Sequence, residues 1–238
     1  MNSNMQQRVA VDIELKHGRV RNQTQMQVDT LPYARLKRVC DVLFSAGILI
    51  FISPLLLLVY LAIMLSDGRP VVFKQQRTGQ NGVPFTIYKF RTMKQAHKQV
   101  AAPNQAKNNY DEWIDGVPDD FVFKSGFNPN VTKLGAFLRK TSIDELLQFY
   151  NVLKGEMSII GPRPEVTQIT DKYNALQRQR LLAKPGITGW AQVNGRSDIP
   201  HGEKIMHDLY YVSNCSFMLD VKIVFKTISM VLLNKGSY

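Results

Sequence analysis

Residues 42–65 read VLFSAGILIFISPLLLLVYLAIML, an apolar run without a formal charge. At 1.5 Å per residue the run makes roughly 36 Å of helix, enough to cross a hydrocarbon core of about 30 Å. It begins too deep in the chain, and runs too long, for a signal peptide. Hydropathy by itself favours a single span. Ser53-Pro54 in the middle of the run argues against it, because proline removes one helix hydrogen bond and clashes with the preceding turn. The cost in a helix interior is about 3 kcal/mol, and the Ser53 hydroxyl can serve the broken ladder. Arg35, Lys37 and Arg38 precede the run, and Arg69, Lys74 and Arg77 follow it, so the positive-inside rule has no side to prefer. A re-entrant helix-break-helix that enters and leaves on one membrane face satisfies both flanks and is expected in place of a span.

Outward from this segment, the 238 residues carry 30 Lys+Arg against 19 Asp+Glu, a net charge of +11. That excess points to polyanionic partners: acidic lipid, phosphate-bearing small molecules or nucleic acid. A hydrophobic fraction of 45% supplies a core and excludes global disorder. Two cysteines, Cys40 and Cys215, exclude a disulfide framework and CxxC metal pairs. The four histidines have no zinc-site spacing, and GxGxxG, Walker A, GxSxG and DxD motifs are absent. Near the C-terminus, residues 218–233 (MLDVKIVFKTISMVLL) place Lys222 and Lys226 four apart on one face. They read as an amphipathic helix suited to a membrane surface.

Three regions follow from these patterns. Residues 1–34 are a polar N-terminal arm, 35–69 the re-entrant membrane helix with basic flanks, and 70–238 one further domain ending in the amphipathic helix. Within the last, residues 71–74 and 84–90 are expected as strands around the Gly79-Gln-Asn-Gly82 turn. A helix plus loop is expected over 94–120, helices over 142–153 and 165–182, a strand over 156–160 and an extended piece over 187–193. The fold class is α+β, predominantly helical with short strands, without a βαβ rhythm.

Asp144 and Glu145 are the first candidates for chemistry. Ser142-Ile-Asp-Glu145 fits a capping box, in which the serine hydroxyl and the glutamate satisfy the first amides of a helix. The same position favours anions, two adjacent carboxylates can share Mg²⁺ with phosphate oxygens, and an ionised aspartate can attack phosphorus. Both readings stay open at this point. Arg139 and Lys140 precede the dyad, and Arg163 sits between prolines in Gly161-Pro-Arg-Pro164, a stiff setting for phosphate contact. Lys89 and Arg91 in KFRTM are two further cations, and residues 184–196 (KPGITGWAQVNGR) end on Arg196. Asp220 fits the N-cap of the last helix.

Taken in order, Lys37-Arg38, Ser53-Pro54, KFRTM (89–93), FLRKTSIDELLQ (137–148), NVLKGEMSIIGPRP (151–164), KPGITGWAQVNGR (184–196) and DLYYVSNCSFMLDVKI (208–223) resemble the bacterial sugar transferase family over roughly residues 35–238. The resemblance implies a monotopic phosphoglycosyl transferase of the bacterial inner membrane, with its active site on the cytoplasmic face. Such an enzyme passes a sugar-1-phosphate from a UDP-sugar to undecaprenyl phosphate and releases UMP. By the same resemblance the nucleophile is Asp144 and its partner Glu145, with Mg²⁺ at both; Arg139 and Arg163 bind phosphate, Arg196 contacts the nucleotide, and Lys89 and Asp220 are further catalytic positions. Lys37 and Arg38, with the Ser53-Pro54 kink, would anchor the chain in the phospholipid membrane. A homodimer is compatible with this reading and nucleic acid is not expected. The chain departs from the family pattern at Leu147, where DELPQ is frequent, and at Asn128-Pro-Asn130, where Asp-Pro-Arg is frequent. The competing reading is a membrane-tethered basic protein that binds nucleic acid or anionic lipid without catalysis, with steep salt dependence.

Overall fold

A computed structural model describes residues 32–95, 110–122, 128–195 and 199–232. The polar arm expected over 1–34 lies outside them except for its last three residues, and so does most of the helix-plus-loop expected over 94–120. What is described of that stretch contains one 3-10 turn, Tyr110–Glu112, and a second turn closed by Phe121 N–H donating to the Pro118 carbonyl.

Helix α1 runs from Pro32 to Ser66 and passes through Pro54. Proline 54 has no N–H for the carbonyl of Ile50, four residues back. The Ser53 hydroxyl donates to that carbonyl at 2.8 Å, so the proline is accommodated inside one helix and the expected break between two helices is not found. The helix is long and apolar enough to cross a membrane. Its burial is concentrated at the two ends. Asp41 and Ser45 are buried near one end, Val59 and Ile63 near the other, while Ile50 and Phe51 between them are 76% and 86% exposed.

Both ends of α1 are fastened to the rest of the molecule. At the start, the Lys37 ammonium donates to Asp220 at 2.6 Å and Ile159 N–H donates to the Asp41 carboxylate at 3.0 Å. Arg38 donates to the carbonyls of Val152 and Leu153 at 2.6 and 2.9 Å. At the far end, Arg91 donates to the carbonyls of Asp67 and Gly68, both at 2.8 Å, and Thr132 donates to the Asp67 carboxylate at 3.1 Å. Each arginine donates to carbonyls at or just past a helix end: Arg91 closes off α1, and Arg38, from α1, closes off a helix of the domain. Val59 and Ile63 pack with Val71, Phe90 and Leu138. Each fully buried aliphatic there contributes roughly 1.5–3 kcal/mol.

Strands β1 (Val72–Thr78) and β2 (Pro84–Phe90) form the expected antiparallel hairpin, with Val72 opposite Phe90 and Thr78 opposite Pro84. Asn81 and Gly82 take positive φ in the turn, 56° and 81°, which is why that tetrapeptide carries Asn and Gly. After it come α2 (Lys133–Lys140), a 3-10 turn (Ile143–Glu145) and α3 (Gln148–Lys154). Strand β3 (Ser158–Ile160) pairs in parallel with β4 (Gly186–Thr188). The two strands approach so closely at their ends that a Cβ on Gly186 would lie 2.1 Å from the Gly161 nitrogen. Both positions therefore need glycine.

The helix expected over 165–182 is two short pieces, α4 (Thr167–Thr170) and a 3-10 segment (Gln177–Leu182). Asn174 separates them: its side-chain oxygen accepts from the amides of Leu176 and Gln177 at 3.1 and 3.0 Å, replacing a helical ladder with a local one. The extended stretch expected over 187–193 is strand only to Thr188 and then turns into α5 (Trp190–Gly195). Helix α6 (His201–Asn214) was not expected, and α7 (Phe217–Leu232) matches the expected amphipathic helix within a residue. On α7, Lys222 and Lys226 lie over the Trp190 ring at 5.4 and 4.8 Å. Its outward surface is apolar instead, with Met218 and Phe225 72% and 69% exposed. Phe217 meets Tyr33 edge-on, which joins this surface to that of α1. A contiguous exposed apolar surface of this kind marks a contact with protein or membrane.

Candidate active site

The Asp144–Glu145 pair sits in the 3-10 turn between α2 and α3. Ser142 enters that turn with a positive φ of 56° and makes no side-chain cap. The capping-box reading is therefore corrected: Ser142 has left the extended geometry that a cap needs, and Glu145 has partners elsewhere. A non-glycine residue in the left-handed region costs on the order of 1 kcal/mol, held here two residues before Asp144. The neighbouring helix α2 is capped by Thr132, which accepts from Gly135 N–H at 2.9 Å. A Cβ on Gly135 would meet the Thr92 carbonyl at 2.1 Å, so α2 lies directly on the KFRTM segment. Arg139 Nε consequently donates to the Thr92 hydroxyl at 2.9 Å.

Glu145 is clamped between two cations. Lys89 donates to its Oε1 at 2.7 Å, and Arg163 straddles the carboxylate, at 2.5 Å to Oε1 and 3.2 Å to Oε2. Burial alone would raise the Glu145 carboxyl, but Arg163 and Lys89 outweigh it and hold it far below the usual carboxylate range. The Glu145 charge in turn raises Arg163, whereas burial pulls Lys89 down in spite of Glu145. Asp144 is buried and has moved the other way. Burial first, then the Glu145 charge, push its carboxyl up to about 6, with Lys89 and Arg139 opposing. Two adjacent carboxylates are thus driven apart: one permanently ionised and neutralised, the other poised near neutrality.

The backbone beneath Arg163 is fixed from below. Arg180 donates to the Arg163 carbonyl at 2.9 Å and to the Tyr173 hydroxyl at 2.9 Å. Its guanidinium is fully buried against Asp208 of α6, at 2.6 and 2.8 Å. Neither Arg180 nor Asp208 stood out in the sequence reading. The available signal was an acidic residue inside the apolar stripe Ile205, Leu209, Val212 of α6, all buried.

The structure brings Lys89, Glu145 and Arg163 into contact, with Asp144 and Arg139 beside them. It does not bring Asp220 to them. Asp220 lies in the first turn of α7, where it accepts from Tyr33 at 2.5 Å, Lys37 at 2.6 Å and Tyr211 at 2.8 Å. It is not the N-cap, because its own N–H donates to the Ser216 carbonyl inside the helix. Arg196 lies outside the described residues. Lys37 and Arg38, expected at the membrane, have their charged groups on protein partners.

Among the described residues no cluster of three metal-ligating side chains occurs. Asp144 and Glu145 match the donor set of a Mg²⁺ that takes most of its other oxygens from phosphate and water. Asp144 is the more available of the two, since both Glu145 oxygens already accept from cations.

This arrangement of a split carboxylate pair, an arginine-bearing loop bound to it and an apolar helix fastened at both ends lies within a matched family. The family model described as bacterial sugar transferase matches residues 32–234, and the chain belongs to that family. Among its relatives, the exopolysaccharide production protein ExoY of Sinorhizobium fredii is 40% identical over 85% of this chain and 88% of its own length. The undecaprenyl-phosphate galactose phosphotransferase of Salmonella typhimurium and the UDP-glucose:undecaprenyl-phosphate glucose-1-phosphate transferase of Escherichia coli are each 40% identical over 85% of this chain. The chain spans only about two fifths of the length of those two relatives, 42% and 41%.

Proposed function

We propose that this sugar transferase passes a sugar-1-phosphate from a UDP-sugar to undecaprenyl phosphate, releasing UMP, by way of a phosphosugar-aspartate on Asp144. The observation that carries the reading is the unequal carboxylate pair: Asp144 is buried with no bonded cation among the described residues, beside a Glu145 that two cations neutralise. An Asp144 oxygen attacks the phosphorus that bears the sugar, the bond from that phosphorus to the bridging oxygen breaks, and UMP leaves with the electron pair. An oxygen of undecaprenyl phosphate then attacks the same phosphorus and the Asp144 carboxylate departs, restoring the enzyme. Lys89 and Arg163 hold Glu145 in place and present positive charge to the diphosphate, while Arg139 flanks Asp144 from α2. Asp144, backed by Glu145, would hold the Mg²⁺, which supplies further neutralisation of phosphate charge when bound. The product would be the first lipid-linked sugar of a capsule, exopolysaccharide, O-antigen or glycoprotein glycan.

The reaction is tested by incubating the full chain in membrane mimetic with a panel of UDP-sugars, Mg²⁺ and undecaprenyl phosphate. One sugar nucleotide is expected to give UMP together with a lipid-linked diphosphate sugar. Release of UDP instead of UMP would overturn the assignment, since it would mean transfer of the sugar alone.

The same contacts support a reading of the membrane disposition. Because Lys37 and Asp41 at one end, and Asp67 at the other, bind one folded domain, α1 is read as re-entrant, entering and leaving the cytoplasmic leaflet of the inner membrane. In a background lacking Cys40 and Cys215, cysteines placed at Arg35 and Arg69 are expected to react with an impermeant reagent from the same side of sealed vesicles. Reaction from opposite sides would make α1 a span.

A further inference from the structure

The β1–β2 register places Arg77 opposite Phe85, Gln75 opposite Ile87 and Phe73 opposite Lys89. Cross-strand partners share a face of the sheet, as do residues two apart. Arg77 and Lys89 therefore leave the hairpin from one face at its two ends. Between them Phe85 and Ile87 are buried against Val152 and Met157. Lys89 has a carboxylate partner, Glu145.

Arg77 has none. Its guanidinium donates to two neutral oxygens, the Pro164 carbonyl at 3.2 Å and the Gln75 side chain at 2.8 Å. Its Nε is enclosed and bonds to nothing among the described residues. The carboxylate nearest in sequence to that loop, Glu165, is paired with Lys204 at 3.2 Å. Arg77 nonetheless feels three nearby charges, Glu165 first, then Arg163 and Glu145, while bonding to neither carboxylate. A largely enclosed cation is costly without a bonded counter-charge. Here it stands directly behind the Gly161–Pro164 loop, tied to it through Pro164.

We infer that Arg77 is a phosphate-binding residue whose counter-charge is supplied by substrate, so that Arg77, Lys89 and Arg163 together form a three-cation rim before Asp144. The planar fork of arginine suits two oxygens of one phosphate group. That group belongs either to the diphosphate of the nucleotide sugar or to the phosphate monoester of the lipid acceptor. The inference rests on the proposed phosphoglycosyl transfer.

Equilibrium binding separates these possibilities and does not depend on turnover. UDP and uridine, and polyprenyl phosphate and polyprenol, are titrated into the full-length protein, its Arg77→Gln variant and its Arg77→Lys variant. One charged hydrogen bond is worth about 1.5–3 kcal/mol, or roughly 10- to 150-fold in affinity. Arg77→Gln is expected to weaken one phosphorylated ligand by that factor and to leave its unphosphorylated counterpart within about twofold, with Arg77→Lys intermediate. Weakening of UDP assigns the contact to the nucleotide, and weakening of polyprenyl phosphate assigns it to the acceptor. Unchanged binding of both phosphorylated ligands would overturn the inference. So would an equal loss for uridine and UDP, which marks a disturbed loop. A wild-type protein that binds UDP but releases no UMP would sink the proposed reaction and leave the Arg77 result to be judged on binding.

Discussion

Asp144→Asn is expected to abolish the covalent phosphosugar adduct seen by intact-mass analysis when UDP-sugar is supplied without lipid acceptor. Steady-state UMP release is expected to fall at least about 10⁴-fold, the scale on which removal of a nucleophile is felt. An adduct of unchanged mass and amount in the variant would remove Asp144 from the reaction. The same substitution carries a stability signature of opposite sign. The folded-state carboxyl is pushed up to about 6 from an ordinary 3.8, by burial and by Glu145. Between those values the native protein holds a proton that the unfolded chain has released, so native stability falls as pH rises through that window. Above about pH 6 the deficit is complete, on the order of 3 kcal/mol. Asparagine removes the titration. In chelator, the variant is expected to melt higher than wild type by a margin that is absent near pH 4 and widens up to about pH 6. Melting curves that shift in parallel across pH would contradict the raised carboxyl. If Asp144 is the nucleophile as proposed, stability has been exchanged for function at that position.

Glu145→Gln is the second large effect. It keeps the shape of the side chain and removes the charge on which Lys89 and Arg163 converge. Two cations are left without their carboxylate, and Asp144 loses the negative neighbour that helps to raise it. The Asp144 carboxyl is expected to move down, and UDP is expected to bind as tightly as before or more tightly, since the released cations face it. Turnover is expected to fall by about 10²–10³-fold, the range for loss of one pre-organised electrostatic partner. A kcat loss without loss of UDP affinity is the diagnostic pattern. UDP affinity falling in step with kcat would instead make Glu145 a part of nucleotide binding.

The parts of the molecule governed by local chemistry were legible in its residues. Gly79-Gln-Asn-Gly82 announced the hairpin, because only such residues take positive φ cheaply, and the spacing of apolar residues in 217–232 announced α7. Lys89, Arg139, Arg163 and the dyad were recognisable as a set. The resemblance supplied much of that recognition, because the residues lie far apart in sequence. Where two local signals competed, the reading went astray. Ser142 and Glu145 satisfy the capping-box spacing, yet Lys89 and Arg163, supplied by distant strands and loops, outbid the helix amides for Glu145. Asn174 lies inside an apparently helical stretch and bonds the next amides itself. Asp220 was drawn toward the chemistry by its family position, but three donors from α1 and α6 hold it. Arg180 and Asp208 were invisible because burial of an ion pair is a property of tertiary packing. Arg77 was read only as a flanking charge until the strand register turned it inward.

The paired arginine caps, Arg38 on the domain helix and Arg91 on α1, bear on how the protein meets bilayers of different thickness. A helix that crosses a membrane must adjust its tilt to the slab it occupies. With the one-sided disposition proposed here, α1 is moored at both ends to the same rigid body. The placing of its exposed middle, Ile50 and Phe51, would then be set by those end contacts before any adjustment to the lipid. The carboxylate proposed to receive the sugar phosphate would ride at a constant height above the acyl chains, as a float fixes the depth of its hook.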